Sequence, residues 1–211
     1  MASLPATIAA FDAQAEAYQA YFMDLDLYDD TYERLCQLLE PVGARVLELG
    51  CGPGNVTRAL LRRRPDLHLE ATDLAPNMVR LAQANNPTAH CCVLDCRDLS
   101  TLKGPYQAVV AGFCLPYLAP ADATQLLRDA HGLLAPGGLV YLSFIDDVPA
   151  RSGYEASSNG QYRTFVHYHP AATIRAELAA AGFAVFEEFR KPYPRAGGQV
   201  DTHSIVLARK L

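Results

Sequence analysis

The chain has 211 residues, half of them hydrophobic, enough to bury a sizeable core in one domain over residues 1–211. A formal net charge of −5 and a pI near 5.6 give no general attraction to nucleic acid or anionic lipid, and no uncharged apolar run is long enough to span a bilayer. The opening "MASLPATIAAFDAQAEAYQAYF" lacks basic residues ahead of its apolar stretch and a cleavage pattern, so a cytoplasmic protein with neither a nucleic-acid nor a membrane partner is expected.

Residues 6–40 read as helical and are rich in tyrosine, with Tyr18, Tyr21, Tyr28 and Tyr32. From residue 44 apolar runs alternate with helical patterns. "RVLEL" (45–49), "LHLEATDL" (67–74), "HCCVLDC" (90–96), "YQAVVAGF" (106–113) and "GLVYLSFI" (138–145) read as strands buried on both faces. "NVTRALLRRRP", "APNMVRLAQAN" and "PADATQLLRDAHGLLAPGG" carry apolar residues at helical spacing and end in Pro or Gly stops. Strand and helix in series predict a parallel, doubly wound sheet with helices on both faces. The tail breaks this rhythm. Helix 170–183 leads to "AVFEEF", and the turn-rich "RKPYPRAGGQVDT" separates that strand from "HSIVLARKL", so the last two strands are expected to pair antiparallel.

Six cysteines, Cys36, Cys51, Cys91, Cys92, Cys96 and Cys114, match no paired zinc-knuckle spacing and are expected as reduced, mostly buried thiols. The basic cluster Arg62–Arg64 falls where a helix should end and complements the helix dipole there.

"VLELGCGPGNVTRALL" (46–61) sets a glycine-rich turn between a strand and a helix, the usual cradle for a phosphate, yet Glu48 stands just ahead of the first glycine. An anion beside a pyrophosphate would repel it, so the loop points to a cationic or zwitterionic guest. The Walker loop is excluded because Gly54 is followed by Asn55 and Val56 rather than Lys and Ser or Thr. A dinucleotide fingerprint is weakened by Asn55 at its third glycine position and by Pro53. Asp73, ending the second strand, suits the two ribose hydroxyls of an adenosine, and Asp95, ending the third, suits its exocyclic amine.

These residues resemble the class I S-adenosylmethionine-dependent methyltransferases, small bacterial members in particular. "VLELGCGPG" is similar to the family's first motif, "TDLAPNM" to its ribose motif, "LDCRDL" to its adenine motif and "LLAPGGLVYLSF" to the helix, turn and strand that follow, over roughly residues 40–145. The resemblance implies a seven-stranded, mostly parallel sheet with an antiparallel last strand and an N-terminal helical extension. It implies S-adenosylmethionine as cofactor and S-adenosylhomocysteine as product. Gly50, Cys51, Gly52 and Gly54 would line the amino-acid end, with Glu48 facing its cationic charge and Tyr18 folding over its carboxylate. Asp73 would hold the ribose, Leu74 and Met78 would pack on the adenosine, and Asp95, Cys96 and Arg97 would surround the adenine, with Phe113 also at the cofactor. Gln107 stands where the family commonly has an acid, so no role of that acid carries over.

The acceptor is expected to be a small molecule. "GFCLPYLAP" after the fourth strand has no Asn or Asp for nucleic-acid amino methylation, and Gly112 and Phe113 stand where a catechol-type enzyme would want a metal ligand. No metal is therefore expected, and Asp146 and Asp147 are read as capping a turn or pointing at substrate. Residues 150–170 form an insertion that should roof the acceptor. It alternates Arg163, Phe165, His167 and His169 with Tyr162, Thr164, Val166 and Tyr168, and His167, His169 and Tyr117 are the candidate acceptor contacts, although His169 also suits a helix cap. No catalytic residue is assigned. A nicotinamide dehydrogenase is disfavoured because none of the eleven tyrosines has a lysine four places on. A quinone-biosynthesis C-methyltransferase and a catalytically silent S-adenosylmethionine-binding protein stay open.

Overall fold

The computed structural model describes residues 4–156, 162–195 and 197–211. Three helices lead the chain: α1 (Leu4–Ala13), α2 (Ala15–Phe22) and α3 (Asp29–Leu38). Strands and helices then alternate through β1 (Arg45–Leu49), α4 (Asn55–Arg63), β2 (His68–Asp73), α5 (Pro76–Asn85), β3 (His90–Val93), β4 (Tyr106–Gly112), α6 (Pro120–Leu133) and β5 (Leu134–Ile145). A ribbon of β6 (Gly153–Ala156) and β7 (Arg163–Val166) precedes α7 (Ala171–Ala180), β8 (Phe183–Pro194) and β9 (Val200–Lys210).

The main sheet has seven strands in the order β3-β2-β1-β4-β5-β9-β8. β1 to β5 run parallel, while β9 is antiparallel to both β5 and β8. This is the expected doubly wound, mostly parallel architecture, with β9 as the reversed strand. Successive residues of each strand face opposite sides. Val46, Leu69, Ala71, Ala108 and Val110 pack with Leu35, Cys36 and Leu60 from α3 and α4, while Leu47, Leu49, Val109 and Ala111 pack with Leu126, Leu127, Ile174 and Leu178 from α6 and α7. Burial on both faces is why these strands read as near-continuous apolar runs.

Several boundaries differ from the sequence reading: β3 stops at Val93 rather than 96 and, at the sheet edge, is half-exposed rather than buried on both faces. Extended backbone begins at Leu134, not at 138, because Leu134 already pairs with Tyr106 before the irregularity that brings Leu139 beside Ala108. The leading helical stretch is broken into α1, α2 and α3. The last hairpin is much longer than "AVFEEF" suggested, since β8 continues through Pro194, paired with Val200. β8 is an edge strand, where Pro192 and Pro194 can sit with no ladder donor to lose. That extension carries the far end of the hairpin up to the carboxyl ends of the parallel strands. Of the 150–170 insertion, residues 157–161 lie outside the described residues.

Candidate active site

The loop after β1 is built on positive-φ glycines: Gly50 (φ 69°), Gly52 (φ 54°) and Gly54 (φ 85°). A side chain at Gly54 would also drive a Cβ to 2.4 Å from the Asn86 amide, so this position needs glycine for both backbone and space. Gly54 thereby starts α4 and lets it pack on α5, and it walls neither cavity at the site.

Two cavities open at the carboxyl ends of the strands. The first, about 790 Å³ counted out to its mouth, is walled by Gly50, Gly52, Asp73, Leu74, Met78, Asp95, Cys96, Arg97, Phe113 and Tyr117, with Thr7, Ile8, Phe11 and Tyr18 from the leading helices. The second, about 1020 Å³ on the same count, shares Tyr18, Gly50, Gly52, Gly112, Phe113 and Tyr117 with the first and extends to Cys51, Tyr28, Val166, Tyr193, Arg195, Asp201 and His203. The shared wall makes them two rooms of one site.

Asp73 sits between loop and helix. The Gly52 N–H donates to one of its oxygens and the Ala75 N–H to the other, both at 2.9 Å. Burial raises its pKa, and these amides, with that of Leu74, offset part of the rise. Each oxygen keeps a second lone pair for a ribose hydroxyl. Asp95, expected at the adenine edge, lies in the wall of the first room beside Cys96 and Arg97. The guanidinium of Arg97 grips it at 2.6–3.1 Å, holding its pKa below the usual carboxylate range, so an adenine amine would share an already paired carboxylate. Cys96 lies 3.4 Å from Cys114, sulfur to sulfur, both as free thiols.

Glu48 is not in the wall of either room. It is 1% exposed, takes a hydrogen bond from the Thr57 hydroxyl at 2.5 Å, and is pushed up to about 8 by burial, with the nearby Asp73 charge adding to the rise. Its carboxyl braces α4 against β1 from behind the loop. Asp146 and Asp147 prove to be caps: Asp146 accepts from the first amide of α7 at 2.8 Å and from Arg190 at 2.6 Å, and Asp147 accepts from Val148.

Phe113, at the junction of the rooms, is held at φ 55° by a hydrogen bond from its N–H to Ser143 Oγ at 2.8 Å. Left-handed backbone costs a side-chain-bearing residue about 1–2 kcal/mol, and here it turns the ring into the cavity between Tyr28 (5.1 Å) and His203 (4.7 Å). The Tyr18 ring lies over Gly52, where the Cβ of an alanine in the glycine's place would touch it at 3.7 Å. Tyr117 stacks edge-on against Phe11 at 4.8 Å, and burial holds its hydroxyl protonated, at about 12.

His167 and His169 are not in the wall of the second room. The His167 amide is tied to the Pro116 carbonyl, and the buried His169 ring pairs with the Leu115 carbonyl at 3.0 Å. The opposite face of β7, through Val166, is the one that looks into the room. What the sequence reading missed is the hairpin end: Tyr193, Arg195, Asp201 and His203. Their alternating spacing in "YPR" and "DTH" was the available signal, hidden by the prolines and glycines between them. Thr7, Ile8 and Phe11 were hidden likewise, because their spacing is that of any apolar helix face.

Residues 46–138 match the family model described as a methyltransferase domain. Residues 46–138 thus carry a methyltransferase domain, and the fold is that of solved S-adenosylmethionine-dependent methyltransferases. It is similar to the biotin biosynthesis bifunctional protein BioCD of Bordetella avium, 30% identical over 80% of this chain and 36% of that protein, and to the malonyl-[acyl-carrier protein] O-methyltransferase of Halorhodospira halophila, 34% identical over 62% and 45%. Among solved structures it resembles the 1,6-didemethyltoxoflavin-N1-methyltransferase of Burkholderia thailandensis, with a TM-score of 0.72 and 19% identity over 98% of this chain and 88% of that one. The chain spans between a third and a half of the length of these curated relatives.

Proposed function

We propose that this protein transfers the methyl group of S-adenosylmethionine to a small molecule. The observation that carries the reading is the two-roomed site: a glycine loop and Asp73 wall one room, and the other opens from the same loop toward the hairpin end. The first room fits the cofactor on its own geometry. Asp73 presents lone pairs at the end of β2 beside a loop whose glycines let a ligand approach the backbone, and Leu74 and Met78 supply apolar surface. Asp73 would hold the ribose, Leu74 and Met78 the adenosine, Cys96 and Arg97 the adenine edge, and Gly50, Gly52 and Tyr18 the methionine end.

When bound, the cofactor supplies an electrophilic methyl group on a cationic sulfur. The chain contributes alignment and exclusion of water: α1 and α2 wall the cofactor room, and the rings of Tyr18, Phe113 and Tyr117 stand where the two rooms meet. The toxoflavin enzyme named above is consistent with a small-molecule acceptor. A membrane-spanning role has no support, since no helix among the described residues is long and apolar enough to cross a bilayer.

Calorimetry on S-adenosylhomocysteine tests the cofactor half of this reading. Asp73→Ala should weaken binding by about 1.5–3 kcal/mol through lost charge-assisted bonds to the ribose. Unchanged affinity would put the ribose elsewhere.

A further inference from the structure

The second room is walled by rings. Tyr193 and His203 are stacked at 4.5 Å with their planes 12° apart, Phe113 packs against His203 at 4.7 Å, and Tyr28 and Tyr117 complete the surface. Its charges are satisfied within the protein. Arg195 is the one cation among the described wall residues, and it is bound to both oxygens of Glu155, to Asp201 at 3.0 Å and to the Tyr168 hydroxyl at 3.1 Å. Asp201 takes a second guanidinium from Arg151, which also pairs with Asp147. An anionic acceptor would thus meet two carboxylates and no unpaired cation, at a desolvation cost nothing there offsets.

We infer that the acceptor is an uncharged aromatic molecule bearing an ionisable O–H or ring N–H, that it stacks in this room, and that its proton is taken by His203. The inference rests on the methyl-transfer reading above. His203 is 6% exposed, and its Nδ1 lies 2.6 Å from the Tyr28 hydroxyl. When Nδ1 holds the proton and donates it to Tyr28, Nε2 carries the lone pair available to a guest. Burial keeps the imidazole neutral, lowering it to about 4 with Arg195 adding to the fall and Asp201 opposing it. A neutral imidazole accepts a hydrogen bond, where an imidazolium could only donate. In the step itself the acceptor heteroatom forms its bond to the methyl carbon, the methyl–sulfur bond breaks with its electron pair left on sulfur, and the acceptor proton passes to Nε2 and on to water. The acceptor heteroatom becomes strongly acidic as its bond to carbon forms, so even a weakly basic imidazole can take the proton at that point and then release it readily to water.

The test is equilibrium binding to the S-adenosylhomocysteine-loaded protein at neutral pH with three probes: 2-naphthol, its methyl ether 2-methoxynaphthalene, and tricarballylate. Naphthol should bind at least about tenfold more tightly than either of the others. Tyr193→Leu should weaken both naphthalenes together, whereas His203→Phe should abolish only the preference for hydroxyl over methoxy. Retained affinity for S-adenosylhomocysteine shows that each variant is folded. Tighter binding of tricarballylate, or a wild-type protein indifferent to hydroxyl and methoxy, overturns the inference while leaving the cofactor reading intact. Failure of the wild-type protein to bind S-adenosylhomocysteine at all would instead remove the reading on which it rests.

Discussion

Glu48 lies at the inner end of β1 with Thr57 donating to it, and burial beside Asp73 lifts it from the usual carboxylic range to about 8. A folded-state constant above the unfolded one means that the native protein holds the extra proton between about pH 4.5 and 8. The associated stability is fully present below the unfolded value and is lost as pH rises toward 8. Glu48→Gln keeps an acceptor for Thr57 but cannot ionise. Urea denaturation should therefore give matched stabilities below about pH 4 and a gap that opens in favour of Glu48→Gln as pH rises toward 8, with a limiting slope of about 1.4 kcal/mol per pH unit. Parallel curves would mean that the carboxyl titrates normally. The same residue shows where sequence reading stopped. The motif located Glu48 beside the loop, but facing inward behind the loop is a matter of helix packing that spacing does not encode. Asp73 was legible because a strand end fixes both its position and its direction.

At the scale of elements, the glycine loop, the five parallel strands and their helices were readable because each pairs a local pattern with a local stop. The site parts that escaped come from elements folding back over the sheet from the two ends of the chain. α1 and α2 are pinned to α5 by Asp12, which takes hydrogen bonds from the Asn77 amide at 2.7 Å and its side chain at 3.0 Å, and by the exposed Arg80–Glu16 pair. Surface pairs of this kind add about 0–1 kcal/mol, so these helices depend on packing of Ile8, Phe11 and Tyr18 against Met78 and the cofactor room. A ligand filling that room supplies further contacts. Hydrogen exchange in α1 and α2 should slow when S-adenosylhomocysteine is added, along with that in the glycine loop. Protection confined to residues 46–97 would show that the leading helices are not coupled to the cofactor.

Over the whole molecule, the order β3-β2-β1-β4-β5-β9-β8 places the switch in strand order between β1 and β4, and the loops after those two strands meet there at Gly50, Gly52, Gly112 and Phe113. Open α/β sheets bind ligands at such a switch point. The long β8–β9 hairpin then reaches the same place from the other edge, bringing Tyr193 and His203 to the room that the cofactor loop leaves open. Fold and first room were thus largely legible in the motifs, while the second room is made by residues far apart in the chain and becomes visible only in three dimensions. Together, the two rooms are proposed to move a methyl group onto a small molecule. The most direct test of that transfer uses S-adenosylmethionine labelled in the methyl group, incubated with the protein and a fractionated cell extract and followed by mass spectrometry. Label should appear in a low-mass compound, mole for mole with S-adenosylhomocysteine, and not with Asp73→Ala. Cofactor binding with no labelled small molecule above that control, or label found in protein or nucleic acid instead, would contradict it.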